Sequence, residues 1–259
     1  MARIIAVANQ KGGVGKTTTC VNLASALADM SYRTLLVDLD PQGNASVGCG
    51  IDGRALEISA LEVLQAECEI PEAMIQLDKL GLDILPSNSD LTAAEISLLQ
   101  VDGREYRLKQ ALEKIAHQYV WIIIDCPPSL NMLTLNALTA ANSVLIPMQC
   151  EYYALEGLAS LLETIEQVRS SVNPGLDIEG LLRTMYDSRN NLSGAVSEQL
   201  LEHFGDRVYR TLIPRNVRVA EAPSYGLPVI RYAPTSRGAM AYLGLAGELL
   251  RRNRKRHAG

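Results

Sequence analysis

Short apolar runs rich in β-branched residues alternate along most of the chain with longer segments of helical periodicity. Every position in the run Trp121-Ile122-Ile123-Ile124 is apolar, which is typical of a strand buried on both faces of a parallel sheet. The predicted strands are residues 3–8, 34–38, 82–85, 120–125, 143–147, 180–185 and 208–212. The predicted helices are residues 17–30, 57–67, 104–118, 155–172, 194–203 and 236–252.

This alternation predicts an α/β fold: a doubly wound, mostly parallel β-sheet with helices on both faces. We expect one domain over residues 1–259, because no repeat or low-complexity linker divides the chain. Residues 50–80 are polar and poorly patterned, so we expect them to form a peripheral insertion. The basic residues 251–259 are expected to form a flexible tail, with an accessory phosphate contact as the alternative.

A glycine-rich segment joins the first predicted strand to the first predicted helix and reads Lys11-Gly-Gly-Val-Gly-Lys-Thr-Thr18. In such a setting, backbone N–H groups and the helix N-terminus bind phosphate. Lys16 can then reach the terminal phosphates, and the Thr17 hydroxyl can bind Mg²⁺. The segment departs from the common phosphate-loop pattern, since Gln10 replaces a glycine and an additional lysine, Lys11, begins the loop.

Three aspartates follow or end predicted strands. Asp38 and Asp40 lie at the end of the second strand, and Asp125 closes the apolar run at 121–124. A lone aspartate at such a position is commonly a turn or cap residue. Three of them in a chain with a phosphate loop favour a magnesium site, because nucleotide hydrolases hold Mg²⁺ near the ends of hydrophobic strands.

Charge is distributed unevenly, although the net charge is only −5. Residues 1–174 carry 11 Lys and Arg against 21 Asp and Glu, whereas residues 175–259 carry 13 against 8. This asymmetry predicts a polyanionic or acidic partner for the second part. The five cysteines are dispersed and unpaired in spacing, which together with the lack of a signal-peptide pattern predicts a cytoplasmic protein.

Several motifs together resemble one family. Residues 11–18, with Val-Asp-Leu-Asp-Pro-Gln-Gly-Asn at 37–44 and Ile-Asp-Cys-Pro-Pro-Ser at 124–129, are similar to the deviant Walker A ATPases of the ParA/Soj group. Members of that group partition chromosomes and plasmids. Gln-Cys-Glu-Tyr-Tyr-Ala-Leu-Glu-Gly at 149–157 and Ile-Pro-Arg-Asn-Val-Arg at 213–218 sharpen the resemblance.

The resemblance implies a homodimer that encloses ATP and Mg²⁺ between its subunits. Lys16 would hold the β- and γ-phosphates, and Lys11 would act on the partner subunit's nucleotide, as an arginine finger does. Gly12 would have to be small because the partner packs against it. The residues expected to bind nucleotide in the loop are Lys11, Gly12, Gly13, Val14, Gly15, Lys16, Thr17 and Thr18.

The resemblance also assigns roles outside the loop. Asp40 would position the attacking water, while Pro214 and Asn216 would lie at the adenine. The expected catalytic set is Lys11, Lys16 and Asp40. The expected metal set is Thr17, Asp38 and Asp125.

The resemblance finally implies that the protein binds DNA and is associated with the nucleoid in the cytoplasm. Dimers of this family bind double-stranded DNA without sequence preference, and Arg189 and Arg218 match the DNA-contacting positions. Both arginines fall in the basic second part of the chain. A ParB-type centromere-binding protein would be the partner that stimulates slow hydrolysis, and no membrane would be involved.

Three related activities are less consistent with the sequence. A MinD-like membrane-cycling ATPase needs large apolar residues on a C-terminal amphipathic helix, and the residues after Leu250 are mostly basic. An iron–sulfur carrier needs ligand cysteines in matching motifs, which Cys126 alone does not supply. A bacterial tyrosine kinase would need a tyrosine cluster near the end, where Tyr242 stands alone.

Overall fold

The computed structural model describes residues 2–151 and 154–258. Tyr152 and Tyr153, in the family motif at 149–157, lie outside the described residues. The strands are β1 Arg3–Val7, β2 Thr34–Asp38, β3 Ile75–Leu77, β4 Leu82–Leu85, β5 Trp121–Asp125, β6 Ser143–Gln149, β7 Asp177–Tyr186 and β8 Val208–Pro214. They form one sheet in the order β3-β4-β2-β5-β1-β6-β7-β8.

Helices connect these strands and cover the sheet. Their bounds are α1 Lys16–Asp29, α2 Asn44–Gly48, α3 Ala60–Gln65, α4 Ile70–Ala73, α5 Thr92–Ser97, α6 Arg107–Ile115, α7 Met132–Ala140, α8 Ala154–Ser171, α9 Asn191–Phe204, α10 Val217–Glu221, α11 Val229–Tyr232 and α12 Arg237–Ala258. In the described part of the chain, every pair of neighbouring strands is parallel except β3 and β4. The predicted fold class is therefore confirmed.

Two apolar cores lie on opposite faces of the sheet because side chains alternate along each strand. In β5, Ile122 and Ile124 belong to one core and Ile123 belongs to the other. Helices α6 and α7 contribute to the first core, whereas α1 and α12 contribute to the second. Burial on both faces explains why β5 has no polar position before Asp125.

Three expectations need correction. Residues 50–80 are not merely a peripheral insertion, because β3 joins the sheet as an antiparallel edge strand beside β4. Helix α7 was not predicted, since its sequence Met-Leu-Thr-Leu-Asn-Ala-Leu-Thr-Ala is buried almost throughout and has no polar face. The basic segment expected to be flexible continues helix α12 to Ala258.

A buried carboxylate joins both ends of the chain at the amino edge of the sheet. Glu179 in β7 is only 1% exposed. Its Oε2 atom accepts hydrogen bonds from Arg3 at 2.9 Å, from Ser143 at 2.9 Å and from Arg256 at 2.8 Å. Tyr209 donates to Oε1 at 3.2 Å. The Glu179 carboxylate of β7 therefore binds side chains from β1, β6, β8 and α12.

A second carboxylate binds the outer edge of the sheet. Glu248 in α12 is 5% exposed and accepts from the backbone N–H groups of Arg210 at 2.9 Å and Thr211 at 2.8 Å. Arg252 also donates to Glu248, at 2.8 Å. Helix α12 is therefore bonded to the backbone of β8 as well as packed against it.

Glu179→Gln should lower the free energy of unfolding by roughly 3 kcal/mol, because it leaves two arginines near a neutral group in a buried site. Urea unfolding followed by the fluorescence of Trp121, the one tryptophan of the chain, measures the change. Glu202→Gln is the matched control, since Glu202 is exposed. A loss no larger than that of the control would contradict a central role for Glu179.

Candidate functional site

The candidate site lies where β2, β5 and β1 end side by side. Asp38 pairs with Asp125 in the register of β2 and β5, and Val7 pairs with Asp125 in the register of β1 and β5. Ligands of open α/β sheets bind beyond the carboxyl ends of the strands. The phosphate loop after β1 and the aspartates predicted from the sequence therefore come together at one edge.

The loop after β1 adopts a conformation that requires glycine at two positions. Gly13 and Gly15 have φ values of 73° and 87°, in the left-handed region that other residues rarely adopt. Gly15 caps the N-terminus of α1. The loop is held from β7 and β6, since the Thr184 hydroxyl donates to the Val14 carbonyl at 2.7 Å and Gln149 donates to the Gly13 carbonyl at 3.3 Å.

Lys16 is a buried cation without a carboxylate bonded to it. Its side chain begins α1 at 6% exposure, and Nζ donates to the Lys11 carbonyl at 3.2 Å. Burial lowers the pKa of Lys16, while the nearby Asp125 and Asp40 carboxylates raise it. A buried ammonium in this state is stabilised by an anion, and the glycine loop leaves room for one.

Asp38 is fixed by the segment after β2. Its Oδ2 atom accepts from the backbone N–H and the hydroxyl of Ser46, both at 2.8 Å, and Oδ1 accepts from the N–H of Asp40 at 3.2 Å. Burial raises the pKa of Asp38 to about 6, and the Ser46 hydrogen bonds oppose that shift. Ser46 was not predicted from the sequence, because no motif or spacing linked a serine in α2 to Asp38.

Asp125 has one unpartnered oxygen. Its Oδ1 atom accepts from the Cys20 thiol at 3.4 Å, and the nearby Thr17 hydroxyl lowers the pKa of the carboxylate. Oδ2 is buried and has no partner. Burial, followed by the proximity of Asp38, raises the pKa of Asp125 to about 8.

These donors fit Mg²⁺ or its bound water, because hydroxyl and carboxylate oxygens are the ligands that this cation prefers. The described residues contain no group of three His, Cys, Asp or Glu side chains arranged to hold a metal ion. Phosphate oxygens and water would therefore have to complete its coordination. That arrangement is usual for Mg²⁺ in phosphate-loop sites.

Asp40 lies between the aspartate pair and the open cleft. Its side chain is 7% exposed, and Oδ1 accepts from the N–H of Gln42 at 2.9 Å. The Ser87 hydroxyl donates to the Asp40 carbonyl at 2.9 Å. Gly43 has a φ of 62°, and a Cβ atom there would lie 2.7 Å from the Ser87 carbonyl oxygen. The loop that carries Asp40 is thus held closely against residue 87.

A cleft of about 540 Å³ opens over these residues. The polar part of its lining comes from the loop after β1, the start of α1 and Asp40: Gly12, Gly13, Gly15, Lys16, Thr17, Thr18 and Asp40. Its lining also includes the apolar residues Val21, Val47, Pro223 and Leu227. The apolar residues were not predicted from the sequence, since they come from four separate elements and share no motif.

Pro214 and Asn216 do not line this cleft. Pro214 ends β8, and Asn216 caps α10 by accepting from the N–H of Val219 at 3.3 Å. Their predicted position at the adenine therefore stays a prediction. Met185, at the end of β7, does line the cleft and neighbours Tyr186, which pairs with Pro214.

Lys11 does not line the cleft of its own chain. Its Nζ atom forms an ion pair with Glu151 Oε2 at 2.6 Å, and both side chains are about half exposed, at 43% and 49%. Gly12 lies in open space, because a Cβ atom there would meet nothing within 4 Å. In the described part of the chain, Lys11 therefore takes no part in lining the cleft, and no neighbouring atom requires a glycine at position 12.

The two arginines predicted to bind DNA lie on the surface and are each paired with an acid. Arg189 donates to both oxygens of Asp187, at 3.0 and 2.8 Å, and is 87% exposed. Arg218 donates to Glu221 at 2.9 Å and is 57% exposed. Exposed pairs of this kind are weak and exchange readily for other anions.

Asp125→Asn should weaken the pH dependence of stability in the nucleotide-free protein. The pKa of Asp125 is raised from 3.8 to about 8, so the folded state binds a proton that the unfolded state has released. The free energy of unfolding then falls as the pH rises from about 4 to about 8, by up to about 1.4 kcal/mol per pH unit. The substitution removes this contribution, so the variant should exceed the wild type in stability at the upper end of the range.

Urea unfolding across that range tests the expectation. Asp102→Asn is the control, because Asp102 is exposed. Parallel pH profiles for the wild type and Asp125→Asn would contradict it.

Comparison with known proteins places this geometry in a family. A family model described as an AAA domain matches residues 2–178. The chain is 52% identical over 258 residues to the chromosome partitioning protein ParA of Caulobacter vibrioides, covering 99% of this chain and 97% of the relative. It is 50% identical over 250 residues to the chromosome-partitioning ATPase Soj of Thermus thermophilus, with 96% of each covered.

A solved structure shares both the fold and much of the sequence. The cobyrinic acid a,c-diamide synthase of Mycobacterium smegmatis, with bound ADP and magnesium, is 42% identical and superimposes with a TM-score of 0.86 over 98% of this chain and 96% of that one. The same protein is also known with an ATP analogue and magnesium. By its full-length identity to ParA and Soj, the chain belongs to the ParA/Soj family of chromosome-partitioning ATPases.

Proposed function

We propose that this chain binds ATP and Mg²⁺, closes into a homodimer around the nucleotide, binds DNA without sequence preference and drives the segregation of a chromosome or plasmid with a ParB-type partner. The observation that carries the proposal is the buried Lys16, which begins a helix after a glycine loop and donates only to a backbone carbonyl. Such a cation, together with the N-terminus of α1, is suited to the terminal phosphates of a nucleotide.

The residues around Lys16 suit hydrolysis of the γ-phosphate. When bound, Mg²⁺ would neutralise phosphate charge, held by the Thr17 hydroxyl and supported by Asp125 and Asp38. Asp40 lines the cleft, and its Oδ1 atom accepts from the Gln42 N–H. Its carboxylate can accept a hydrogen bond from a water molecule and orient that water for attack.

The exposed positions 11 and 12 support a homodimer. Lys11 is held outside the cleft by an exposed ion pair with Glu151, and such a pair is weak enough to exchange for a phosphate on another chain. Gly12 leaves a free surface where the backbone of a partner can approach closely. Lys11 would then supply positive charge to the partner's γ-phosphate during hydrolysis.

Dimer formation would couple nucleotide state to DNA binding. Each subunit presents Arg189 and Arg218 once, so a dimer presents the pair twice and gains avidity without a new contact. ATP would favour the dimer and hydrolysis would end DNA binding, which is a population shift driven by differential affinity. A ParB-type partner that accelerates hydrolysis would set where on the nucleoid the protein is released.

Asp40→Ala should bind ATP, form the dimer and stay on DNA, while its rate of hydrolysis falls by at least about a hundredfold, because the attacking water is no longer oriented. Phosphate release with DNA present and size-exclusion chromatography with ATP measure the two effects. Lys16→Ala is the contrasting variant and should lose nucleotide binding and dimer formation together. Normal turnover by Asp40→Ala would contradict the role of Asp40.

Arg218→Glu and Arg189→Glu should each weaken DNA binding on the order of tenfold and leave the ATP-dependent dimer intact, because each replaces a phosphate contact with a repulsive charge. Fluorescence anisotropy of a labelled random duplex measures the affinity. Arg54→Glu is the matched control, since Arg54 is exposed and forms the same two-bond pair, with Asp52 at 3.0 and 3.1 Å. Equal effects of all three substitutions would contradict a specific DNA surface.

A further inference from the structure

Two arginines dock the basic end of α12 against the sheet. Arg252 lies over the ring of Tyr209, with 4.0 Å between its guanidinium carbon and the ring centroid, and donates to the Val208 carbonyl at 2.7 Å. One turn later, Arg256 donates to the buried Glu179 at 2.8 Å. These contacts anchor the backbone of α12 over this segment, so the Cα positions of the residues between Arg252 and Arg256 are fixed.

The remaining cations of this region line an open cleft. It has a volume of about 450 Å³ and lies at the amino end of β8. Its free cations are Arg207, Arg210, Arg251 and Lys255. All four are exposed, and among the described residues none of them forms an ion pair. Two carboxylates also line the cleft, Asp206 and Glu248, but Glu248 is occupied by the N–H groups of β8 and by Arg252.

The exposed face of α12 continues this positive surface toward the nucleotide end. Arg251 and Lys255 are exposed and share that face because they lie four residues apart. Arg237 is also exposed and lies close to the same face, since fourteen residues span nearly four full turns. The exposed positions between Arg237 and Arg251 are Met240 and Gly244, so no acidic side chain interrupts the face. At 1.5 Å per residue, Arg237 and Lys255 are about 27 Å apart along the helix.

We propose that Arg207, Arg210, Arg251 and Lys255 form a second contact for the phosphate backbone of double-stranded DNA. The cleft precedes β8, whereas Arg218 follows β8, so the two contacts lie near opposite ends of that strand. The distance from Arg237 to Lys255 along the helix corresponds to about eight base pairs at 3.4 Å per base pair. This inference rests on the proposed DNA binding and adds a surface that Arg189 and Arg218 do not include.

The chemistry of the surface favours DNA over an anionic membrane. Membrane-bound amphipathic helices bury large apolar side chains in the lipid. Leu249 is 1% exposed and packs within the protein core, and residues 251–256 are arginine, asparagine and lysine. Exposed cations on an anchored helix, with Met240 as the one large exposed apolar side chain on that face of the described α12, suit a stiff chain of phosphates better than a lipid surface.

The test compares Arg251→Gln/Lys255→Gln with the wild type and with Lys79→Gln, whose lysine is exposed in the acidic part of the chain. Binding of a labelled random duplex is measured with ATP by fluorescence anisotropy at several salt concentrations. We expect affinity on the order of tenfold weaker for the double variant at physiological salt. The slope of log affinity against log salt should fall by roughly 2 for each protomer in contact, because two phosphate contacts are lost.

Unchanged affinity and slope in the double variant, with the wild type bound to DNA, would overturn this inference and leave the proposed function intact. A wild type that fails to bind the duplex with ATP would contradict both. Sedimentation of the wild type, but not of the double variant, with phosphatidylglycerol vesicles would assign the surface to lipid instead of DNA. The wild type and the double variant must have equal melting temperatures and equal ATP-dependent dimer formation. A loss of affinity can then be assigned to the missing cations of the cleft.

Discussion

The site depends on one constraint, the desolvation of ionisable side chains where parallel strands end side by side. Lys16, Asp38 and Asp125 are removed from water where β1, β2 and β5 end, and each bears the desolvation cost of that position. Asp38 is hydrogen-bonded through both oxygens, but Lys16 donates only to a carbonyl and Asp125 keeps an oxygen without a partner. A triphosphate with a divalent cation supplies charges of both signs, so binding relieves the cost of burial.

The hydrophobic pattern predicted seven of the eight strands in the described residues, because strands buried on both faces are short apolar runs in the sequence. It did not predict β3, a three-residue edge strand that is only partly buried, or α7, which is buried almost throughout and therefore lacks a polar face. The basic end of α12 was expected to be flexible, since its sequence gives no sign of Glu179. That carboxylate lies 77 residues away and becomes a partner of Arg256 only through the fold.

The site was predictable to the extent that its residues belong to motifs. The loop at 11–18 and the strand-end aspartates lie together as expected, because strands β1, β2 and β5 are neighbours in the sheet. Ser46 and the apolar lining of the cleft could not be predicted, since they come from α1, from α2 and from the segment after α10 without any spacing signal. The acids paired with Arg189 and Arg218 were also not predicted, although both are neighbours in sequence.

The contact of Glu248 with β8 has a consequence for the behaviour of many copies at once. An edge strand offers unpaired N–H groups to any other strand, and this is a common route to aggregation. The Glu248 carboxylate occupies the N–H groups of Arg210 and Thr211, and α12 covers the same edge. Wherever copies of the chain reach high local density, blocking this edge keeps neighbouring molecules from joining through their sheets.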